Sequence, residues 1–175
     1  MKKNLKIATI LPYKENYTFS KAQAAAIWVC DFYKYSKNKK ENFIFGNTDT
    51  KDFLTKNYIN VPLKKKTRFQ STTTEYCDNF IKLIKGKKFD IVEIHNRPLI
   101  LFKLINVINT KYIMYFHNDP LSMSGSKLIS EREEILNRVE KIVFISKWVK
   151  NRFFKNIDEQ DNKTEIIYHS VYKRK

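Results

Sequence analysis

Two strand-like runs frame one apolar segment between Phe89 and Pro120, and that arrangement restricts the fold more than any other stretch. Ile91-Val92-Glu93-Ile94 and Tyr112-Ile113-Met114-Tyr115-Phe116 read as buried strands. Each runs straight into a polar cluster, His95-Asn96-Arg97 after the first and His117-Asn118-Asp119 after the second. Pro98 to Ile108, between them, is apolar nearly all round, as a buried helix is. It is long enough for the crossover that two parallel strands require. Ligands of an open α/β sheet bind outside the carboxyl ends of the strands. Both histidine clusters are therefore expected on one edge.

The remaining chain supplies matching elements. Leu5 to Leu11 reads as a first strand stopped by Pro12, and Ser20 as the cap of a helix running to about Tyr35. Ala22, Ala25, Ala26, Val29, Cys30 and Tyr33 share one face of that helix, its alanines permitting close approach to a sheet. Asn42 to Phe45 and Tyr58 to Leu63 are short strands, the second at an edge where Pro62 is tolerated. Lys64 to Arg68 is a basic run, read as a solvated loop. Thr72 to Glu75 has the spacing of a capping box, opening a helix with Tyr76, Phe80 and Ile84 on one side and Gly86 past its end. A further helix follows Gly125 and Ser126, with Leu128, Ile135, Leu136 and Val139 inward and a second capping-box pattern at Ser130 and Glu133. Glu140 to Ile145 is a sixth strand, Ser146 caps a helix whose Trp148, Val149 and Phe153 sit at core spacing, and Thr164 to Tyr168 is a last strand. Strands alternating with helices predict an α/β fold, a doubly wound and mostly parallel sheet of about seven strands with helices on both faces. No closing helix is expected after the last strand.

The totals bound the chemistry. A chain of 175 residues with 42% apolar content suits one domain with a sizeable core. Cys30 and Cys77 are far apart on helices, outside any CxxC, as reduced thiols of a cytoplasmic protein would be. The apolar run after Met1 is too short for a signal peptide, and no window reaches the roughly 20 apolar residues of a membrane span. The net charge of +16 comes mostly from lysine. A/T-rich codon usage explains it first, attraction to an anionic membrane surface second, nucleic acid third.

Several chemistries lack their residues. Gly46, Gly86 and Gly125 are the only glycines and belong to neither GxGxxG nor a P-loop, so dinucleotide turns and Walker-type phosphate transfer are not expected. A GxSxG elbow is missing. His95, His117 and His169 lie on separate strand ends without HExxH or Cys/His spacing, so no metal site is expected. The nearest acidic pair, Asp49 and Asp52, is spaced DxxD rather than DxD.

Four pieces in order carry a resemblance: DIVEIHNRP (Asp90 to Pro98), YIMYFHNDP (Tyr112 to Pro120), KIVFISKWVKNRF (Lys141 to Phe153) and TEIIYHSV (Thr164 to Val171). Together they resemble the amino-terminal half of GT-B glycosyltransferases, most closely the large retaining family 4. Two places depart from that pattern: the loop Pro12 to Thr18 has no glycine, and His169-Ser170 stands where the family has Asn-Gly. The resemblance implies one Rossmann-like domain over residues 1–175, an acceptor-side lobe, with the donor domain and its acidic E-x7-E motif to be supplied in cis or in trans.

The resemblance further implies retaining transfer from a nucleoside-diphosphate sugar to a saccharide or lipid-linked acceptor of the cell envelope. The donor is a substrate, and no cofactor is implied. His117 matches the strand-end histidine that contacts the donor sugar near the reacting carbon, and Asp119 would orient an acceptor hydroxyl or His117, or cap a turn. These two are the catalytic candidates. Tyr13, His95, Asn96, Arg97, Asn118, Ser146 and Lys147 are the substrate-binding candidates, Arg97 being suited to a phosphate or carboxylate. Ser146 also reads as a plain helix cap and Lys147 as a solvated lysine. The implied location is cytoplasmic, peripheral at the inner face of a membrane. Competing readings are a non-enzymatic basic module for nucleic acid or an anionic surface, and a flavodoxin-like ligand-binding domain.

Overall fold

The computed structural model describes residues 4–64 and 71–169. Seven strands form one sheet: β1 (Ile7–Ile10), β2 (Asn42–Gly46), β3 (Tyr58–Asn60), β4 (Ile91–His95), β5 (Lys111–Phe116), β6 (Lys141–Phe144) and β7 (Thr164–Ile166). Their spatial order is β3-β2-β1-β4-β5-β6-β7, and every pairing is parallel. The order reverses at β1, where the chain crosses from β3 back to β4. Five helices connect the strands: α1 (Ala24–Tyr35), α2 (Thr72–Ile84), α3 (Pro98–Leu104), α4 (Ile129–Arg138) and α5 (Lys147–Phe153). This is the doubly wound sheet expected from the sequence.

Side chains alternate across a strand, so each strand divides its residues between the two faces. One face takes Ala8, Ile10, Phe45, Val92, Ile94, Met114, Phe116, Ile142 and Phe144, packed under residues of α2, α3, α4 and α5. The other takes Leu11, Ile44, Tyr115 and Val143 under α1. By the same alternation Thr9, Glu93 and His95, all buried, lie on the α1 side.

Local starts and stops differ from the sequence reading at several points. The first helix begins at Ala24 rather than Ser20, because its free amides are met from a distance: Glu15 Oε1 accepts from Ala25 N at 3.0 Å and from Ala26 N at 3.2 Å. Ser20 is held elsewhere, its N and Oγ both donating to Asp52. In α2 the cap position falls on Ser71, one residue ahead of Thr72, so the expected box does not form and Glu75 accepts from Lys64 N instead. Tyr76, Phe80 and Ile84 are buried as expected. At α4 Glu131, not Glu133, reaches back to the Leu128 amide, and Leu128 is exposed rather than inward. Trp148, expected at a core position, is 58% exposed, while Val149 and Phe153 are buried. The strands run shorter than expected at most ends, and Pro62 lies outside β3. Most of the basic run Lys64 to Arg68 lies outside the described residues.

Gly125 has φ +90°, and a Cβ there would meet the Leu99 backbone nitrogen at 3.1 Å. The loop after β5 thus presses directly on α3, which only a glycine allows.

Candidate functional site

The carboxyl ends of β4 and β5 are tied by one asparagine. Asn96 adopts φ +53°, a left-handed conformation that Asn tolerates better than most residues. Its amide donates to Tyr115 O at 2.9 Å, and its side-chain Oδ1 accepts from His117 N at 2.7 Å and from Asn118 N at 3.3 Å. The two polar clusters of the sequence therefore form one knot. Asn96 does not cap α3, whose cap position is Arg97.

Three imidazoles run outward from this knot. His95 Nδ1 lies 2.7 Å from His117 Nε2, and His117 Nδ1 lies 3.3 Å from His169 Nε2. Tyr115 stacks on His95 with ring centroids 4.3 Å apart. Trp28 of α1 fences the row, its ring centroid 5.8, 5.3 and 6.1 Å from those of His95, His117 and His169. His95 is 1% exposed and His117 is 7%, whereas His169 is an exposed residue at the end of the row. Because His117 uses a different nitrogen toward each neighbour, the nitrogens pair in sequence and do not converge on one point.

Burial sets the charge of this row. It pulls His95 well below the ordinary histidine value, with His117 adding to the effect, and pulls His117 down to about 3, with His169 adding. His169 is also lowered by the covered part of its ring. The row is neutral at pH 7.

Under α1 the row continues into a buried polar line. Thr9 Oγ1 lies 2.7 Å from Glu93 Oε2 and 3.0 Å from Asn42 Oδ1, and the Tyr115 hydroxyl donates to Glu93 Oε1 at 3.3 Å. Burial raises the Glu93 carboxyl, and the bonds from Thr9 and Tyr115 oppose that rise. A protonated Glu93 would donate to Thr9 and leave the threonine's single proton for Asn42.

The other expected residues divide into two groups. Arg97 lies over the Tyr13 ring, its guanidinium carbon 5.0 Å from the centroid, with Nε buried and without a hydrogen-bond partner among the described residues. No carboxylate among the described residues pairs with this positive charge, which lies between the ends of β1 and β4. Asp119 is already engaged. Its carboxylate accepts from Leu121 N at 3.0 Å and from Arg152 Nε and Nη2 at 2.9 to 3.2 Å, and these bonds hold it below the usual carboxylate range. It makes no hydrogen bond to His117. Ser146 Oγ accepts from Val149 N at 3.2 Å and so caps α5, while Lys147 and Asn118 are exposed.

No family model matches the chain. It is 25% identical over 125 residues, 70% of its length, to "Putative glycosyltransferase YtcC" of Bacillus subtilis (strain 168). The chain spans 27% of that protein's length. Among solved structures, a sucrose-phosphate synthase from Thermosynechococcus elongatus superposes with a TM-score of 0.63 at 12% identity, over 94% of this chain and 89% of that one. A second structure of the synthase gives a TM-score of 0.62 at 11% identity, covering 94% of this chain and 48% of that one. The fold is thus the one these sucrose-phosphate synthase structures share. A UDP-N-acetylglucosamine 2-epimerase also superposes, with a TM-score of 0.50 at 15% identity, over 94% of this chain and 48% of that one.

Sequence reasoning missed five residues of this site. Trp28 hid among alanines read only for close packing, although its position on the buried side of α1 was available from the helical spacing. Tyr115 and Glu93 were read as strand residues, yet period-two alternation puts both beside His95. His169 was read as a strand-end histidine and a departure from the family pattern, and not as a member of this row. Arg152, the partner of Asp119, is 33 residues away in sequence and left no local signal.

Proposed function

We propose that this lobe takes part in retaining transfer of a sugar from a nucleoside-diphosphate sugar to a saccharide or lipid-linked acceptor of the cell envelope. The supporting observation is a conjunction. A GT-B-like lobe carries a neutral imidazole row and an arginine with no carboxylate partner among the described residues, together at the carboxyl edge of its parallel sheet, where ligands of such sheets bind. In this reading the imidazole row offers a hydrogen bond to a sugar hydroxyl without adding charge. Arg97, stacked on Tyr13, holds an anionic group of the acceptor, with Asn118 and Lys147 at the rim. Asp119 and Ser146 serve by fixing the 3₁₀ turn Pro120–Ser122 and α5. The diphosphate leaves against donors from a second domain, since this lobe has no glycine-rich phosphate loop. No helix among the described residues is long and apolar enough to cross a membrane. The lysine-rich surface would instead bring a cytoplasmic lobe to an anionic leaflet.

The test is binding of saccharides to the chain by saturation-transfer NMR, each offered with and without a phosphate or carboxylate. Anionic saccharides should bind the wild type, and Arg97→Ala should weaken them roughly tenfold or more, the loss of one charge-assisted contact. Equal binding of neutral and anionic forms, untouched by the substitution, would sink the assignment of Arg97. If no saccharide or nucleotide sugar binds at all, the transferase reading itself falls.

A further inference from the structure

The imidazole row has a proton order, and that order decides which residue meets a ligand. A neutral imidazole carries one N–H and one acceptor nitrogen. The close pairs His95 Nδ1 to His117 Nε2 and His117 Nδ1 to His169 Nε2 leave two self-consistent arrangements. In one, each hydrogen sits on Nδ1: His95 donates to His117, His117 donates to His169, and His169 Nδ1–H is left over. In the other, each sits on Nε2 and every bond reverses. His95 Nε2 is buried and has no partner among the described residues. The second arrangement would place an unpaired N–H there, and orphaned N–H groups are the rarest kind of buried polar defect. The first leaves only a lone pair at that position.

We infer that His95 and His117 are positioning residues, and that the donor this lobe presents to a sugar is Nδ1–H of His169. This deepens the function proposed above and rests on it only for the nature of the ligand. Three features support it besides the proton order. His117, the strand-end histidine, has both nitrogens committed to its neighbours in the row and is 7% exposed. His169 is the exposed member, and its Nδ1 has no partner among the described residues. Trp28 and Tyr115 pack against the rings by edge-on, tilted and stacked contacts, which favour one arrangement of the row.

The experiment is nitrogen-15 NMR of the histidine side chains in the intact chain at pH 7.5, which reads each tautomer directly. The expected result is Nδ1–H on all three rings. His117 carrying its hydrogen on Nε2 overturns the inference. A second arm replaces His95 with Phe, which keeps a ring but removes the donor; the His169 tautomer should then become mixed. His169 unchanged in a folded His95→Phe protein also overturns it. Should that variant fail to fold, the wild-type spectrum alone decides the order. UDP-glucose serves as the ligand probe: it should move the His169 resonances and leave those of His95 in place. A probe that moves His117 while His169 stays still counts against the assignment. Absence of UDP-glucose binding, joined to absence of binding by every saccharide in the test above, counts against the function proposed there, whereas the tautomers decide this inference by themselves.

Discussion

The two faces of the sheet are built from the same strands and do different things. Under α2 to α5 the strands present an aliphatic and aromatic layer in which Phe116, Phe144 and Phe153 are each fully buried with ring centroids 5.2 to 5.9 Å apart. Under α1 the neighbouring residues of those strands are Thr9, Glu93, His95 and Tyr115. The first face supplies stability through area removed from water. The second gives up part of that gain to hold polar groups, and only a complete set of partners makes this tolerable. A site can therefore be buried in the sheet without weakening the fold as a whole, because the opposite face is left mostly apolar.

The contrast can be broken most sharply at the apolar face. Phe144→Ala should lose about 3–5 kcal/mol by urea unfolding, the usual loss for a large aromatic core truncation. A loss under 1 kcal/mol would mean the layer is not the main source of stability.

Acid should attack the other face. Folded-state depression of a histidine means that the unfolded chain binds more protons, so stability falls as pH drops below about 6.5. For His117, pulled down to about 3, the window runs from there to about 6.5. Each imidazole kept neutral contributes up to about 1.4 kcal/mol per pH unit. Glu93 and the Tyr115 hydroxyl are the other titratable groups facing the row, and the raised Glu93 works the opposite way, costing stability as pH climbs above its unfolded value. Urea midpoints measured from pH 7.5 to 5 should fall, and less steeply in His117→Phe. A flat profile in the wild type would contradict the buried neutral row.

Two smaller effects sharpen the comparison. Glu93→Gln reproduces the protonated acid, donating to Thr9 without a buried charge, and should raise stability at pH 8 by about 1 kcal/mol. A loss there would show that the ionised carboxylate is the better-satisfied form. Leu128→Ser, at a residue 62% exposed, should stay within about 0.5 kcal/mol of wild type. A larger loss would return Leu128 to the core, where the sequence pattern had put it.

The sequence displayed the fold plainly because strand and helix periods are local. Val92, Ile94, Met114 and Phe116 announce buried strands without reference to anything distant, and all seven strands were legible with ends off by a few residues. Helix starts were less legible. Glu15 caps α1 across a ten-residue separation, and Ser71 rather than Thr72 took the cap of α2, so neighbouring Ser and Thr residues offered several equal choices. Within the candidate site, His95, Asn96 and His117 were visible as strand-end residues. Which of them face solvent was not, because that depends on Trp28 crossing from α1 and on His169 arriving from β7. Leu128 and Trp148 show the same limit from the other side: helical spacing says which residues share a face, and not whether anything covers it.

The remote cap on α1 carries one more implication. Glu15 belongs to the segment after β1, beside Tyr13, and its carboxylate anchors the first turn of the helix that carries Trp28. Whatever shifts that segment must also tug on the helix, and through the indole on all three imidazoles. Occupancy at the Tyr13 end would thus be felt at the His169 end by mechanical linkage, without any contact between the two bound groups.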